Sequence, residues 1–268
     1  MPEREDLNPE TPEARPAAAD PTGTLERGLR LLQCFTAQTP VLGNSELAEK
    51  TGLPRPTVSR LTSKLVALGY LRRSEEGGFE VGTAVLCLSY SVLDRFGYRR
   101  LSLPHLRELA QTVGGVATVS VRDRLRIVTL EAAVNRDVLG RKPETGNSVT
   151  IVGTGVGLGW MVGATARERD GLWREIAGHK PKTLDRARAD CDAALRQMAD
   201  SGFVSRRNSI RPDTCVLAVP LRRRTGEDVL ILACAVVTRS ETQAAMEASA
   251  ATALLQTAKR INARRFGH

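Results

Sequence analysis

Asn44-Ser45-Glu46-Leu47-Ala48-Glu49-Lys50-Thr51-Gly52-Leu53-Pro54-Arg55-Pro56-Thr57-Val58-Ser59-Arg60-Leu61-Thr62-Ser63-Lys64-Leu65 is the stretch that decides the architecture. Asn44 or Ser45 is a good N-cap, and Glu46 sits favourably in the first turn of a short helix. Gly52 ends that helix, because glycine adopts the left-handed backbone without penalty. Pro54 or Pro56 fits the first turn of the next helix, where a missing N–H costs nothing. That helix runs to about Leu68, with Val58, Leu61, Leu65 and Leu68 at i, i+3, i+7 and i+10 forming one apolar stripe. Arg55, Thr57, Ser59, Arg60, Ser63 and Lys64 occupy the other side. Short hydroxyls and forked guanidinium groups suit base edges and phosphates in a major groove. Any solvated helix face is polar as well, so the pattern alone admits both readings.

The flanks decide between them. Upstream, Thr24 is the expected N-cap of a helix in which Leu25, Leu29, Leu32 and Phe35 recur at helical spacing, before Pro40 and Gly43 break the chain. Downstream, residues 69–74 read as a strand, 75–78 as a Gly-rich turn and Phe79-Glu80-Val81 as the returning strand. Three helices with a short middle one, a tight turn and a trailing hairpin make a winged helix-turn-helix. Arg72 and Arg73 on the wing are placed for backbone phosphates, and Ser45 completes the DNA-facing set.

The chain has 268 residues, 41% hydrophobic and 26% charged, enough for about two domains with proper cores. No apolar run reaches the length of a membrane span, and the N-terminus lacks the apolar stretch of a secretory signal. A cytoplasmic protein is the expectation. Cys34, Cys87, Cys191, Cys215 and Cys234 are scattered without a C-x-x-C pair, and His105, His179 and His268 are the only histidines. Reduced, mostly buried thiols and no metal or other cofactor follow. The net charge of +9 is unevenly spread. Residues 1–23 carry six acidic and two basic side chains, 24–82 six and eight, and 83–268 eighteen and twenty-nine. Most of the excess lies outside the helix-turn-helix, so net charge is a weak argument for DNA.

The quoted residues resemble the IclR family of bacterial regulators. The resemblance is dense in residues 24–32, 46–55 and 65–71, in the same order as in the family. Pro56 departs from the small hydroxyl residue common there, removing one N–H donor near the DNA. The resemblance implies a linker helix contributing to a dimer interface, consistent with the breaker-free apolar segment 83–93. Read by itself, a helix that apolar should be buried against something, its own head domain being the simpler choice.

Behind it, residues 101–113 and 185–201 read as helices, 117–121, 126–130, 216–221 and 229–237 as strands, and 241 to about 265 as a long closing helix. This is an α+β arrangement with a largely antiparallel sheet. The resemblance implies a GAF-like effector-binding and oligomerisation domain. The expected organisation is a disordered tail at 1–22, the winged helix-turn-helix at 23–82, the linker helix at 83–98 and the effector domain at 99–268.

Resemblance is thinner in this second domain. The Gly-rich segment 150–159 aligns with the family's pocket segment, and fits neither G-x-G-x-x-G nor a Gly-Lys-Ser/Thr phosphate loop. The resemblance assigns effector contacts to Thr154, Gly155 and Val156 at a helix N-terminus, to Cys215 and Leu217 on one strand, and to Ser205, Ala233 and Ala235 where relatives carry an acid and hydroxyls. Cys215 is equally a small buried hydrophobe. With the polar complement gone, either the pocket takes a larger, more apolar or aromatic ligand, or it binds none. No nucleophile elbow or framed carboxylate pair points to an enzyme. The reading is a homodimeric or tetrameric, effector-modulated regulator of a double-stranded DNA operator, with a ligand-independent regulator as the alternative.

Overall fold

The computed structural model describes residues 23–95, 98–135, 143–207, 213–237 and 243–266. The tail expected at 1–22 lies outside the described residues, as do 96–97 of the expected linker and 241–242 of the closing helix. The chain forms two compact units that part between residues 95 and 96.

The first unit comprises α1 (Thr24–Gln33), α2 (Asn44–Thr51), α3 (Arg55–Ala67), β1 (Leu71–Arg73), β2 (Phe79–Val81) and α4 (Ala84–Arg95). Gly52 ends α2 at φ 70°, as its residue type requires. Glu46 closes the start of α2 by accepting the Gly43 N–H at 2.7 Å. β1 and β2 pair antiparallel, Leu71 opposite Val81 and Arg73 opposite Phe79. Leu42 adds a third rung by exchanging backbone hydrogen bonds with Phe79 at 3.0 and 2.9 Å. Gly78 turns beside it at φ 86°, where a Cβ would lie 3.0 Å from the Leu42 carbonyl oxygen. The core beneath is Leu31, Leu42, Leu47, Val58, Leu61, Leu71 and Phe79, each contributing roughly 1.5–3 kcal/mol by burial.

Two expected stripes are displaced. Thr24 is the first helical residue and Gly23 the cap. Gly28 and Leu31 face the core, while Leu25 and Leu29 are 77% and 50% exposed. Leucine periodicity marks an apolar face without saying which neighbour covers it. On α3, Leu68 falls just past the last helical residue and is exposed; Thr62 takes its place inside. Along α4, Leu86, Leu88, Tyr90 and Val92 are all exposed, so the burial expected for this apolar helix is not supplied by the described residues.

The second unit comprises α5 (Tyr98–Thr112), β3 (Val116–Asp123), β4 (Arg126–Val134), β5 (Ser148–Thr150), α6 (Gly155–Gly163), α7 (Ala166–His179), a 3-10 turn (Pro181–Thr183), α8 (Leu184–Ser201), β6 (Val204–Arg207), β7 (Thr214–Pro220), β8 (Leu230–Val237) and α9 (Gln243–Phe266). The sheet order is β5-β4-β3-β8-β7-β6, and every pairing is antiparallel. Strand alternation splits its residues between two layers. Val216, Ala218, Ile231 and Ala233 join the core under α6, α7 and α8. The intervening Cys215, Leu217, Leu232 and Cys234 turn to the side where α5 and α9 pack.

Candidate nucleic-acid interface and effector cradle

α3 is held in place by its inner face. Val58 and Leu61 are buried, and the fully buried Thr62 donates to the Val58 carbonyl at 3.0 Å and lies 3.2 Å from Asn44 Oδ1. That hydroxyl ties α3 to the start of α2. On the outer face Arg55, Ser59, Arg60, Ser63 and Lys64 are exposed and Thr57 is half-buried. Ser63 donates its proton to the Ser59 carbonyl at 2.8 Å, leaving its oxygen as an acceptor. Ser45 is exposed at the N-terminal end of α2.

The wing arginines are exposed and differently engaged. Arg72 pairs across the hairpin with Glu80 at 3.2 Å, and Arg73 lies over the Phe79 ring at 5.4 Å. Such an exposed ion pair contributes about 0–1 kcal/mol, so a phosphate competes readily for Arg72.

Over α6, the structure brings together only part of the expected effector set. Thr154 caps the helix, its hydroxyl accepting the Gly157 N–H at 3.2 Å and donating to the Thr150 carbonyl at 2.7 Å. Gly155 lies on Val216, which pairs with Ala235; Val156 and Ala233 join the same layer. Cys215 and Leu217 are buried on the opposite side of the sheet, so they do not share a cradle with Gly155. The reason is register: Ala233 and Ala235 pair with Ala218 and Val216, not with the odd-numbered residues of β7. Ser205 stands opposite Leu217 on edge strand β6 and is bracketed by Gln197, which donates to its hydroxyl at 2.8 Å and accepts its N–H at 3.0 Å.

The glycines of α6 are packing devices. A Cβ on Gly155 would meet Val216 at 2.8 Å, on Gly159 Ile231 at 2.7 Å, and on Gly163 Pro220 at 2.5 Å. Their spacing of four puts them on one side of the helix, which lets α6 lie directly on β7 and β8. Gly157 is tighter still, its Cβ position 1.8 Å from the Ile151 carbonyl oxygen.

Burial, then the Glu247 carboxylate, pushes the Cys215 thiol up to about 11; burial pushes Cys234 up to about 12. Both stay protonated near neutrality, which argues against a nucleophile. Two clamps went unseen in the sequence. Arg223 grips Glu168 with both guanidinium nitrogens at 2.7 and 2.6 Å, while Arg122 pairs with Glu175 at 2.6 Å and stacks over Trp160. The Arg223 hydrogen bonds hold the Glu168 carboxyl down at about 2.

Comparison with known proteins places this geometry. Residues 24–75 match the model of the IclR helix-turn-helix domain. The chain is 33% identical over 201 residues to the HTH-type transcriptional regulator TsaQ1/TsaQ2 of Comamonas testosteroni, covering 73% of this chain and 71% of that protein. It is similar to an IclR family transcriptional regulator from Brucella abortus, with TM-score 0.74, 30% identity, and 92% and 96% of the two chains covered. An IclR homolog from Microbacterium hydrocarbonoxydans, complexed with 4-hydroxybenzoate, shares the fold at TM-score 0.66 and 20% identity, over 88% of this chain and 99% of that one.

Proposed function

The chain belongs to the IclR family of transcriptional regulators, and on that premise we propose that it reads a DNA operator as a homodimer or tetramer and alters its affinity when the C-terminal domain takes up a small molecule. The carrying observation is the outer face of α3. Arg55, Ser59, Arg60, Ser63 and Lys64 stand exposed there on a helix whose inner face is locked, a layout suited to base edges and phosphates. Thr57 on α3 itself and Ser45 at the start of α2 add to that face, and Arg72 and Arg73 supply phosphate contacts from the wing.

The exposed leucines of α1 and the apolar residues of α4, all in the first unit, support assembly through that part of the chain. Two-fold pairing doubles the DNA site that a single short helix reads. In this reading 23–82 reads DNA, 83–98 links and pairs, and 99–268 senses. The setting is the cytoplasm.

Effector control is supported by the related fold that holds 4-hydroxybenzoate. The cradle near α6 would use Thr154, Gly155, Val156, Ala233 and Ala235, with Cys215, Leu217 and Ser205 acting through the strands behind it. A second reading has a specific observation in its favour. The close seat of Gly155 on Val216 leaves little room at the helix N-terminus, as expected of a regulator that has lost its ligand.

Selection of bound sequences from a DNA pool at two salt concentrations tests the reading. Enrichment of a palindrome with half-sites about one helical turn apart supports it. Unselective binding that collapses with salt refutes it. Arg60→Ala should weaken binding about 5- to 150-fold, the range for loss of one good base or phosphate pair. Operator release across small aromatic carboxylates, 4-hydroxybenzoate among them, separates effector control from the ligand-independent alternative.

A further inference from the structure

α5 and α9 lie along each other on the side of the sheet opposite α6. Glu108 and Arg260 join them, Arg260 Nη1 donating to the two carboxylate oxygens at 2.9 and 2.8 Å. His105 stands one turn before Glu108 on the same face of α5, and Arg264 one turn beyond Arg260 on the same face of α9. The buried residues of the two helices are otherwise mostly apolar, with Leu106, Leu109 and Ala110 on α5 and Leu254, Ala258 and Ile261 on α9.

His105 is 8% exposed, and no group among the described residues bonds its Nε2. A buried polar atom ordinarily finds a partner. The charges around it are lopsided. α9 brings Arg264 and Arg260, and α5 itself brings Glu108, whose oxygens are already bound by Arg260. β4 brings Glu131, which lies on the other flank of α5 beside Arg107 and Gln111. β3 turns only Ala117 and Val119 to this side, neither of them titratable. Burial, then Arg264 and Arg260, hold the His105 imidazole below its ordinary 6.5, against a weaker opposite pull from Glu108.

We propose that His105 is an acid-sensitive lock on the seam between α5 and α9, packed shut while the imidazole is neutral and opened when it takes up a proton. An imidazolium donates from both ring nitrogens, and Nε2 faces no acceptor. It also adds a positive charge beside Arg260 and Arg264, with Glu108 already committed. Both costs are relieved when the ring reaches water, which parts the two helices. Because the folded value is lowered, the stability that His105 contributes is whole above pH 6.5 and is lost as pH falls below it. α9 also packs on β7 and β8, so opening the seam loosens the cover of the inner strands of the sheet.

The test uses the full-length protein and three readouts. The chain has three histidines, so NMR titration of their imidazoles follows His105 directly, and its midpoint should fall below 6.5. Unfolding followed by Trp160 and Trp173 fluorescence should show the unfolding constant rising by up to about tenfold per pH unit between 6.5 and that midpoint. Hydrogen exchange, corrected for intrinsic rates, should show α9 amides losing protection before those of α7 and α8 over the same interval. His105→Gln should abolish the acid loss in that interval. Arg264→Glu, a change at an exposed residue, supplies the missing acid, so the His105 midpoint should rise and the acid loss shrink. A His105 midpoint at or above 6.5 in the parent overturns the proposal, and so does an Arg264→Glu variant that leaves the midpoint where it was. Protection of α9 that ignores pH, or that falls only together with α7 and α8, overturns it too. Should His105→Gln not fold, the parent titration and Arg264→Glu still decide.

Discussion

Replacing Gly157 by alanine should destabilise the second unit, whereas the same change at Gly171 should stabilise it. Both residues lie inside helices, α6 and α7, and both have backbone angles open to alanine. Helix propensity alone favours alanine over glycine by about 0.8–1.0 kcal/mol at either site. The surroundings differ. Nothing lies within 4 Å of a Cβ on Gly171, so the full gain is expected there. A Cβ on Gly157 would sit 1.8 Å from the Ile151 carbonyl oxygen and 2.7 Å from its carbon. These are backbone atoms of the connection into α6, and no rotamer change relieves the contact. Overpacking of this kind costs about 3 kcal/mol, the upper part of the usual range. The net expectation is a loss of about 2 kcal/mol for Gly157→Ala, or roughly 4–8 °C in unfolding midpoint for a unit of this size. The chain's two tryptophans, Trp160 and Trp173, both lie in the second unit, so intrinsic fluorescence follows it selectively. If both variants gain stability, or both match the parent, α6 does not approach the Ile151 backbone as described, and the packing account of its glycines falls.

Three further expectations follow from separate contacts. The depressed Glu168 carboxyl, at about 2 against an ordinary 4.5, contributes stability that is present above pH 4.5 and lost as pH falls towards 2. Glu168→Gln should flatten that part of the stability–pH profile, and an unchanged slope would remove the Arg223 clamp as its cause. Leu86→Asp with Tyr90→Asp should shift sedimentation towards the single chain if α4 is an assembly surface; an unchanged mass places the interface elsewhere. Thr62→Val removes the hydroxyl shared by Val58 and Asn44, and should cost about 1 kcal/mol in the first unit. Its operator affinity should fall as well, which a mobility-shift titration reads directly.

Much of the first unit was legible because single residue types dictate backbone. Gly52 announced its left-handed stop, and Pro54-Arg55-Pro56 announced a helix start. Which face of α1 is inside was not legible, since Leu25 and Leu31 look alike until a neighbour chooses between them. In the second unit β3, β4, β7 and β8 show as apolar runs. α7 does not, because its buried residues reduce to Leu172 and Ile176 among charges. Edge strand β6 carries two arginines and hides for the same reason. The effector set is divided by register, because Cys215 and Ala235 are separated by the parity of strand pairing, which no local pattern encodes. The run Arg222-Arg223-Arg224 reads as uniform surface charge, yet Arg223 is bound to a residue 55 positions away.

The five cysteines leave the chain with a handle for chemistry. Cys34, Cys191, Cys215 and Cys234 are buried, and burial raises each thiol above its ordinary value. Cys87 alone is exposed, in the first turn of α4 and flanked by Leu86 and Leu88. A maleimide or spin label added to native protein therefore reports from one known place without any engineered residue. Its reaction rate becomes a clock for whatever covers that helix, fast when the helix is bare and slow when it is sheathed. Run with and without operator DNA, the same reaction turns an assembly question into a measurement of minutes.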